Sequence, residues 1–451
     1  MGVRPIEATV DPKEQTRPGG WLRRSISWSL RTSRFSASPL TRDDLAYVTA
    51  IFLLSRALVF ALGVVGSLMF PEVTANQGFA LHPVVNGSLD DWMRIYVHFD
   101  SGWYLGIASH GYLLPHSGNP GWLAEWAYFP LYPISMRPVI FALNLLGVAG
   151  NRAEIAGVIV SHVALYIGML YLYRLVKGEL SASGARRTIV YLVVFPASVF
   201  LSAVYPEGLF LCLSVAAYYY ARKHNWALAG VLTVGAMLAR PQGLFLVIPL
   251  GVEFIAYRMT QPRPLERRAL AGLWLAAPIV AMGGYALYSH AQTGLWLAYS
   301  TSSTQAWGHR FTPPLYPLVK YLISPRLGGA FTFDFAAFNF AVAVIFCALV
   351  VLAFRRLPPS YGVWLLLCLL FPLSTNGSHF FSLARYLCTA FPAFMALGAW
   401  SLGLRWTPDG VVEEPTSAAR LELRDRIIVL PALLFLALFI IMFESGIYAA
   451  I

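Results

Sequence analysis

Charge is scarce in this chain. Asp, Glu, Lys and Arg make up 12% of its 451 residues against 57% hydrophobic residues, and the mean hydropathy is +0.61. A chain of this length would ordinarily divide into two or three soluble domains, but so few polar residues to clothe them point instead to a polytopic membrane protein. Cysteine is sparse too. Cys212, Cys347, Cys368 and Cys388 lie in or beside apolar runs without the spacing of metal ligands, so they read as small core residues and imply neither a disulfide nor a zinc site. No Walker, Rossmann or zinc motif is present, which leaves nucleotide handling unsupported and argues against an ATP-driven pump. No repeat of fixed period is evident. A cleaved signal peptide is not expected either, because the polar start is long and the apolar run after it exceeds a signal h-region.

What is there in abundance is apolar runs of about 20 residues, each long enough to cross a hydrocarbon core of roughly 30 Å as a helix. The net charge of +11 and pI near 9.5 bring no nucleic-acid partner into view. Arg and Lys cluster between the apolar runs, as a positive-inside bias and contact with anionic membrane lipids require. Residues 1–44, rich in Arg, are expected to form a basic cytoplasmic tail, and residues 45–451 a transmembrane domain. Arg56 falls inside the first spanning helix, 45–70, where an unpaired charge is costly, so it is expected to face the bundle and find a partner. Residues 71–126 read as a large first extracytoplasmic loop. The next apolar stretch, 127–147, contains Pro130, Pro133, Arg137 and Pro138. Proline removes helical hydrogen bonds that lipid cannot replace, so this hydrophobic helix is expected to turn back without crossing. The remaining basic flanks then fit the cytoplasm and give an all-α polytopic membrane protein of about 11 transmembrane helices. These lie near 45–70, 155–176, 188–205, 207–221, 226–239, 243–257, 269–290, 331–354, 361–373, 386–404 and 427–447. Several fall short of the roughly 17 residues a perpendicular span needs, so their ends should sink into the protein and line a cavity.

Residues 98–133 stand out among the greasy runs because aromatic rings and charge occur together there. Asp100 lies amid Phe99, Trp103 and Tyr104, and the spacing of Trp103, Ile107, His110 and Gly111 predicts a short helix with a mixed aromatic and polar face. Glu125 precedes Trp126, Tyr128 and Phe129. An aromatic belt at headgroup depth would account for the rings alone. The topology gathers further polar residues on the same outer face. They are Glu207, Arg240 and Gln242, the loop bearing Gln305, Trp307, His309 and Arg310, and the stretch with Asn376, Ser378, His379, Arg385 and Tyr386. A site facing away from the cytoplasm has no nucleotide sugar to hand, so carboxylate, arginine and aromatics there suit a sugar donor carried on lipid phosphate. In such a transfer a carboxylate takes the acceptor hydroxyl proton and fixed cations stabilise the departing phosphate. Arg suits the second task because its planar fork grips phosphate at two points. His98 and His379 are candidate binders of phosphate or sugar hydroxyls. A transporter or flippase without chemistry is the competing class, since broken helices and intramembrane arginines fit it as well.

These residues resemble a known family. Asp100 with Trp103, Tyr104, Ile107, Ala108, Gly111 and Tyr112, followed by Phe129, Pro130 and Pro133, is similar to the first-loop signature of PIG-V-type mannosyltransferases, which are GT-C enzymes with bacterial relatives. Further matches, in the same order along the chain, are SAVYPEGLF at 202–210, ARPQG at 239–243 and ARY at 384–386 before Phe391 and Pro392. The resemblance implies a GT-C-type helical bundle in a plasma membrane with its site on the extracytoplasmic side. It also implies transfer of a sugar, typically mannose, from a polyprenyl-phosphate donor to a glycolipid or polysaccharide acceptor with inversion, without a metal or other cofactor. Asp100 then takes the place of the family's first-loop base, and His98, Trp103, Tyr104, Glu125, Glu207, Arg240, Gln242, His379, Arg385 and Tyr386 become candidate substrate-binding residues. The sequence departs from the family where Phe99 replaces the usual Trp and where Pro206 and Pro241 stand at positions often held by Thr and Ser.

Overall fold

The computed structural model describes residues 35, 38–69, 92–93, 95–119, 121–260, 270–324, 334–375, 382–407 and 410–444. His379, with Asn376 and Ser378, lies outside the described residues, as do nearly all of the 1–44 tail and residues 71–91 of the first loop.

The described chain is helical apart from two short strands. Helix α1, Arg42–Met69, opens on a reciprocal cap in which the Asp44 N–H donates to Thr41 Oγ1 and the Thr41 N–H to Asp44 Oδ2. Next come α2 (Ser101–His110) and α3 (Leu131–Leu145), then α4 (Arg152–Glu179), capped by Asn151, and α5 (Ala182–Val194), capped by Ser181. Helix α6 (Glu207–Arg222) leads to α7 (Trp226–Ala239), which Asn225 caps, and to α8 (Val247–Thr260). Helices α9 (Ala277–Thr293), α10 (Ala298–Gln305) and α11 (Tyr316–Ile323) precede α12 (Phe335–Arg356) and α13 (Pro359–Thr375). The chain ends through α14 (Leu383–Leu387), α15 (Phe391–Ser401), an antiparallel hairpin of β1 (Leu404–Thr407) with β2 (Gly410–Glu413), and α16 (Ala418–Glu444).

Six helices among the described residues are long and apolar enough to cross a membrane: Arg42–Met69, Arg152–Glu179, Pro241–Met259, Leu270–Thr293, Phe335–Arg356 and Ala418–Glu444. The protein is an integral membrane protein. The other five of the eleven expected spans take another form: those at 207–221, 226–239 and 361–373 are helices of 16, 14 and 17 residues, shorter than any of these six, and two more are interrupted. The run 188–205 leaves the α-helix after Val194 and continues as a tighter turn over Pro196–Leu201, because Phe195 before proline is extended (ψ 136°). The run 386–404 divides between α14 and α15 over Cys388–Ala390, with Pro392 in the first turn of α15, and ends in β1.

The short helices are the inner ones. Helix α6 is buried along almost its whole length and packs between α4 and α7. Gly208 makes this packing possible, since a Cβ there would stand 2.6 Å from the Leu201 carbonyl oxygen and 3.0 Å from that of Ser161. Arg56 does face the bundle. It donates through Nη1 to Ser202 Oγ at 2.6 Å and to the Ser198 carbonyl at 3.3 Å. At the far end of α6, Arg222 binds Glu179 of α4 and donates to Glu253 of α8 at 2.8 Å, while Tyr361 and Ser360 of α13 donate to the same two carboxylates. All three charged side chains are buried.

Candidate active site

The first loop makes one sharp turn where it meets the bundle. Phe99 takes φ +53°, a left-handed conformation that a bulky side chain rarely adopts and that surrounding contacts have to hold. The Tyr205 hydroxyl spans the turn, donating to the His98 carbonyl at 2.9 Å and accepting from the Asp100 N–H at 3.1 Å. Helix α2 starts at the next residue, so its first turn and Tyr205 together fix the Asp100 backbone.

The Asp100 side chain is held at both oxygens. Oδ1 accepts from the Tyr128 hydroxyl at 3.1 Å, and Oδ2 from Arg385 Nη1 at 2.5 Å. Arg385 also donates through Nε to Glu207 Oε1 at 2.5 Å, and Arg240 donates to that same oxygen. The four charges therefore alternate as Asp100, Arg385, Glu207 and Arg240. Buried charges persist only when paired and hydrogen-bonded, and this chain of contacts meets the condition: Glu207 is wholly buried, while Asp100 keeps 27% of its side chain open. Arg385 lies over the Tyr205 ring at 4.3 Å and Arg240 over the Tyr386 ring at 4.7 Å, cation–π contacts that fix both guanidinium planes.

Asp100, Arg240, Gln242, Arg385 and Tyr386 line one cavity of about 570 Å³, with Tyr104 and Tyr299 on its walls. That volume falls within the range of pockets that enclose small ligands. Gln242 is buried with its Oε1 lacking a hydrogen-bond partner among the described residues. Because α7 stops at Ala239, Arg240 meets the cavity wall in extended backbone before a tight helical turn begins at Pro241, as the shortness of that segment led one to expect. Among the described residues no three His, Cys, Asp or Glu side chains converge as metal ligands would.

Three candidates lie elsewhere. His98 turns away from the cavity, and its Nε2 sits 3.2 Å from Glu444 Oε2 at the end of α16. Glu125 is buried under the loop, accepting the Leu113 N–H at 2.7 Å with His110 at 3.8 Å. Burial pushes its carboxyl above the usual range. Trp103 stacks on Tyr128 at 5.9 Å and 14°, on the ring that donates to Asp100, and so supports the wall from behind. The two tyrosines that hold Asp100 were visible only as members of an aromatic run and of the stretch at 202–210. Nothing in the sequence announces that their hydroxyls converge.

Residues 45–248 match the family described as Mannosyltransferase (PIG-V). Over these residues the chain is similar to that family. The matched stretch contains Asp100, Tyr128, Tyr205, Glu207, Arg240 and Gln242, while Arg385 and Tyr386 enter the site from beyond it. GPI mannosyltransferase 2 of Yarrowia lipolytica (strain CLIB 122 / E 150) is 28% identical over 156 residues, 34% of this chain. That alignment spans 39% of the yeast protein's length. Among solved structures, ArnT from Cupriavidus metallidurans, bound to undecaprenyl phosphate, superposes with a TM-score of 0.47 at 14% identity, over 88% of this chain and 76% of that one. The Archaeoglobus fulgidus oligosaccharyltransferase with a tethered acceptor peptide gives 0.42 at 10% identity, over 86% and 55%.

Proposed function

We propose that the protein is a GT-C glycosyltransferase that moves a sugar, mannose in the first instance, from a polyprenyl-phosphate donor to an extracytoplasmic glycolipid or polysaccharide acceptor with inversion. Asp100 is the general base. The acceptor O–H bond breaks as its oxygen bonds the anomeric carbon, the proton passes to Asp100, and the bond from that carbon to the phosphate oxygen breaks with its electron pair leaving on phosphate. A carboxylate has about four acceptor positions, and Tyr128 and Arg385 occupy one on each oxygen of Asp100, so the partly open side chain retains room for an acceptor hydroxyl.

Glu207 draws Arg240 and Arg385 onto one oxygen, setting two guanidinium groups side by side on the cavity wall. Fixed cations of this kind stabilise charge that develops on a leaving phosphate without reorganising. In this reading residues 1–44 lie in the cytoplasm, residues 45–451 form the catalytic domain, and the cavity opens on the extracytoplasmic face of a bacterial plasma membrane. The observation that carries the proposal is the hold of Tyr128 and Arg385 on a cavity-facing Asp100, supported by the PIG-V match. The test is transfer of radiolabel from polyprenyl-phosphate mannose by the purified protein, with a total membrane lipid extract as acceptor. No transfer with the native protein overturns the proposal.

A further inference from the structure

The turn that presents Asp100 is held from a second side, by the end of the last helix. Glu444 Oε2 meets His98 Nε2 at 3.2 Å, and both side chains are buried. The Phe443 ring stands edge-on to His98 at 4.7 Å and to Phe99 at 5.7 Å, so consecutive residues of α16 grip consecutive residues of the strained turn. Helix α1 is hollowed to admit this contact. A Cβ on Gly66 would stand 2.9 Å from Glu444 Cβ and 3.2 Å from Ile441 Cα, and a Cβ on Gly63 only 2.4 Å from Ile95 Cγ2. Glu444 makes no other hydrogen bond among the described residues, and its Oε1 is left without a partner. A carboxyl buried at this cost with one partner serves that partner.

We propose that Glu444 is a positioning residue for the transfer reaction. It acts through His98 and the Phe99 turn to set where Asp100 stands against the acceptor. The proposal rests on Asp100 as base. The force path has three links: Glu444 to the His98 ring, His98 to the left-handed Phe99, and Phe99 to Asp100. Tyr205 holds the same turn from the opposite side, so losing Glu444 tilts the turn without releasing it. Displacing a catalytic group by about 1 Å costs on the order of 10²-fold in rate, whereas the donor pocket at Arg240 and Tyr386 lies on other elements and is untouched.

The experiment is a double-mutant cycle on the purified full-length protein, read as transfer of label from polyprenyl-phosphate mannose to a total membrane lipid extract. Glu444→Leu is expected to lower kcat about 10²-fold with KM for donor within about twofold. In the Asp100→Asn background the same change should add less than about twofold, because nothing is left to position. Glu444→Gln, whose amide oxygen still accepts from Nε2–H, should recover most of the turnover. If Glu444→Leu fails to fold, His98→Leu replaces it in the cycle and leaves α16 intact. Losses that multiply in the double variant, or native turnover in Glu444→Leu, overturn the inference and leave Asp100 as base. Native turnover in Asp100→Asn alone overturns both.

Discussion

Arg385 and Asp100 are 285 residues apart in the chain and 2.5 Å apart in the fold. Arg385 also reaches Glu207 through Nε, so one guanidinium splints two carboxylates at the starts of different helices. A lysine has a single point of charge and cannot span both. Arg385→Lys is expected to weaken donor binding about tenfold or more, since a charge-assisted contact contributes about 1.5–3 kcal/mol. Arg385→Ala should cost stability as well, by about 3–5 kcal/mol, because it strands Glu207 and Asp100 near each other with one cation fewer. Titration with the donor, together with thermal melting, checks both. Unchanged donor affinity in Arg385→Ala and Arg240→Ala alike would remove the phosphate role from this pair.

Asp100→Asn keeps the size of the side chain and an acceptor for Tyr128 while removing the basic oxygen. Turnover should fall by about 10² to 10⁴, the contribution of a positioned base, with donor affinity and the thermal midpoint close to native. Should Glu207→Gln be dead and Asp100→Asn active, the proton goes to Glu207.

Helix α3 has 15 residues and so spans about 22 Å, short of a core of roughly 30 Å. Its Arg137 donates to the Ala108 and Ile107 carbonyls, which ties it to the exit of α2 on the cavity side. The chain before and after α3 should then lie on one face of the membrane. Cysteines placed at the exposed positions Ser117 and Asn151 are expected to react alike with an impermeant maleimide. Protection of Asn151 alone would put a crossing between them.

Glu125 offers a test in pH. Its carboxyl is raised by burial, so the folded state favours the protonated form. That contribution to stability is complete below the ordinary carboxyl value and is lost as pH rises through the folded value. Glu125→Gln is neutral at every pH. As pH rises above the ordinary carboxyl value of about 4.3, the thermal midpoint of the variant should gain on that of the native protein, and parallel pH profiles would show that the site does not penalise the charge.

Much of this was legible because apolar runs and proline act locally. Helices α1, α4, α7 and α12 fall where their hydropathy places them, whereas hydropathy alone carried the runs 188–205 and 386–404 through as spans and missed their interruptions. Asp100, Glu207, Arg240, Gln242, Arg385 and Tyr386 were all named from the outer face on which the topology gathers them and from the family resemblance, and all but the buried Glu207, which they enclose, line the cavity. His98 and Glu125 were named on the same grounds and went elsewhere. Direction is the missing quantity. The positive φ at Phe99 swings His98 toward α16 and Asp100 toward Arg385, and sequence spacing carries no information about such a reversal between neighbours.

The ionic knot at Arg222 sets where this bundle is able to yield. It lies one helix length, about 22 Å, from Glu207, and joins α4, α6, α8 and α13 through Glu179, Glu253, Ser360 and Tyr361. Parting Arg222 from its carboxylates would leave charge unmatched in a dry interior, at about 3–5 kcal/mol, and parting Ser360 or Tyr361 would take a hydrogen bond from a buried carboxylate. The four helices are therefore expected to behave like the blades of shears pinned at one end: under the proposed function, room for a lipid-borne sugar would be made by splaying at the other, where Pro196–Leu201 and Pro241–Leu246 interrupt the regular helical ladder.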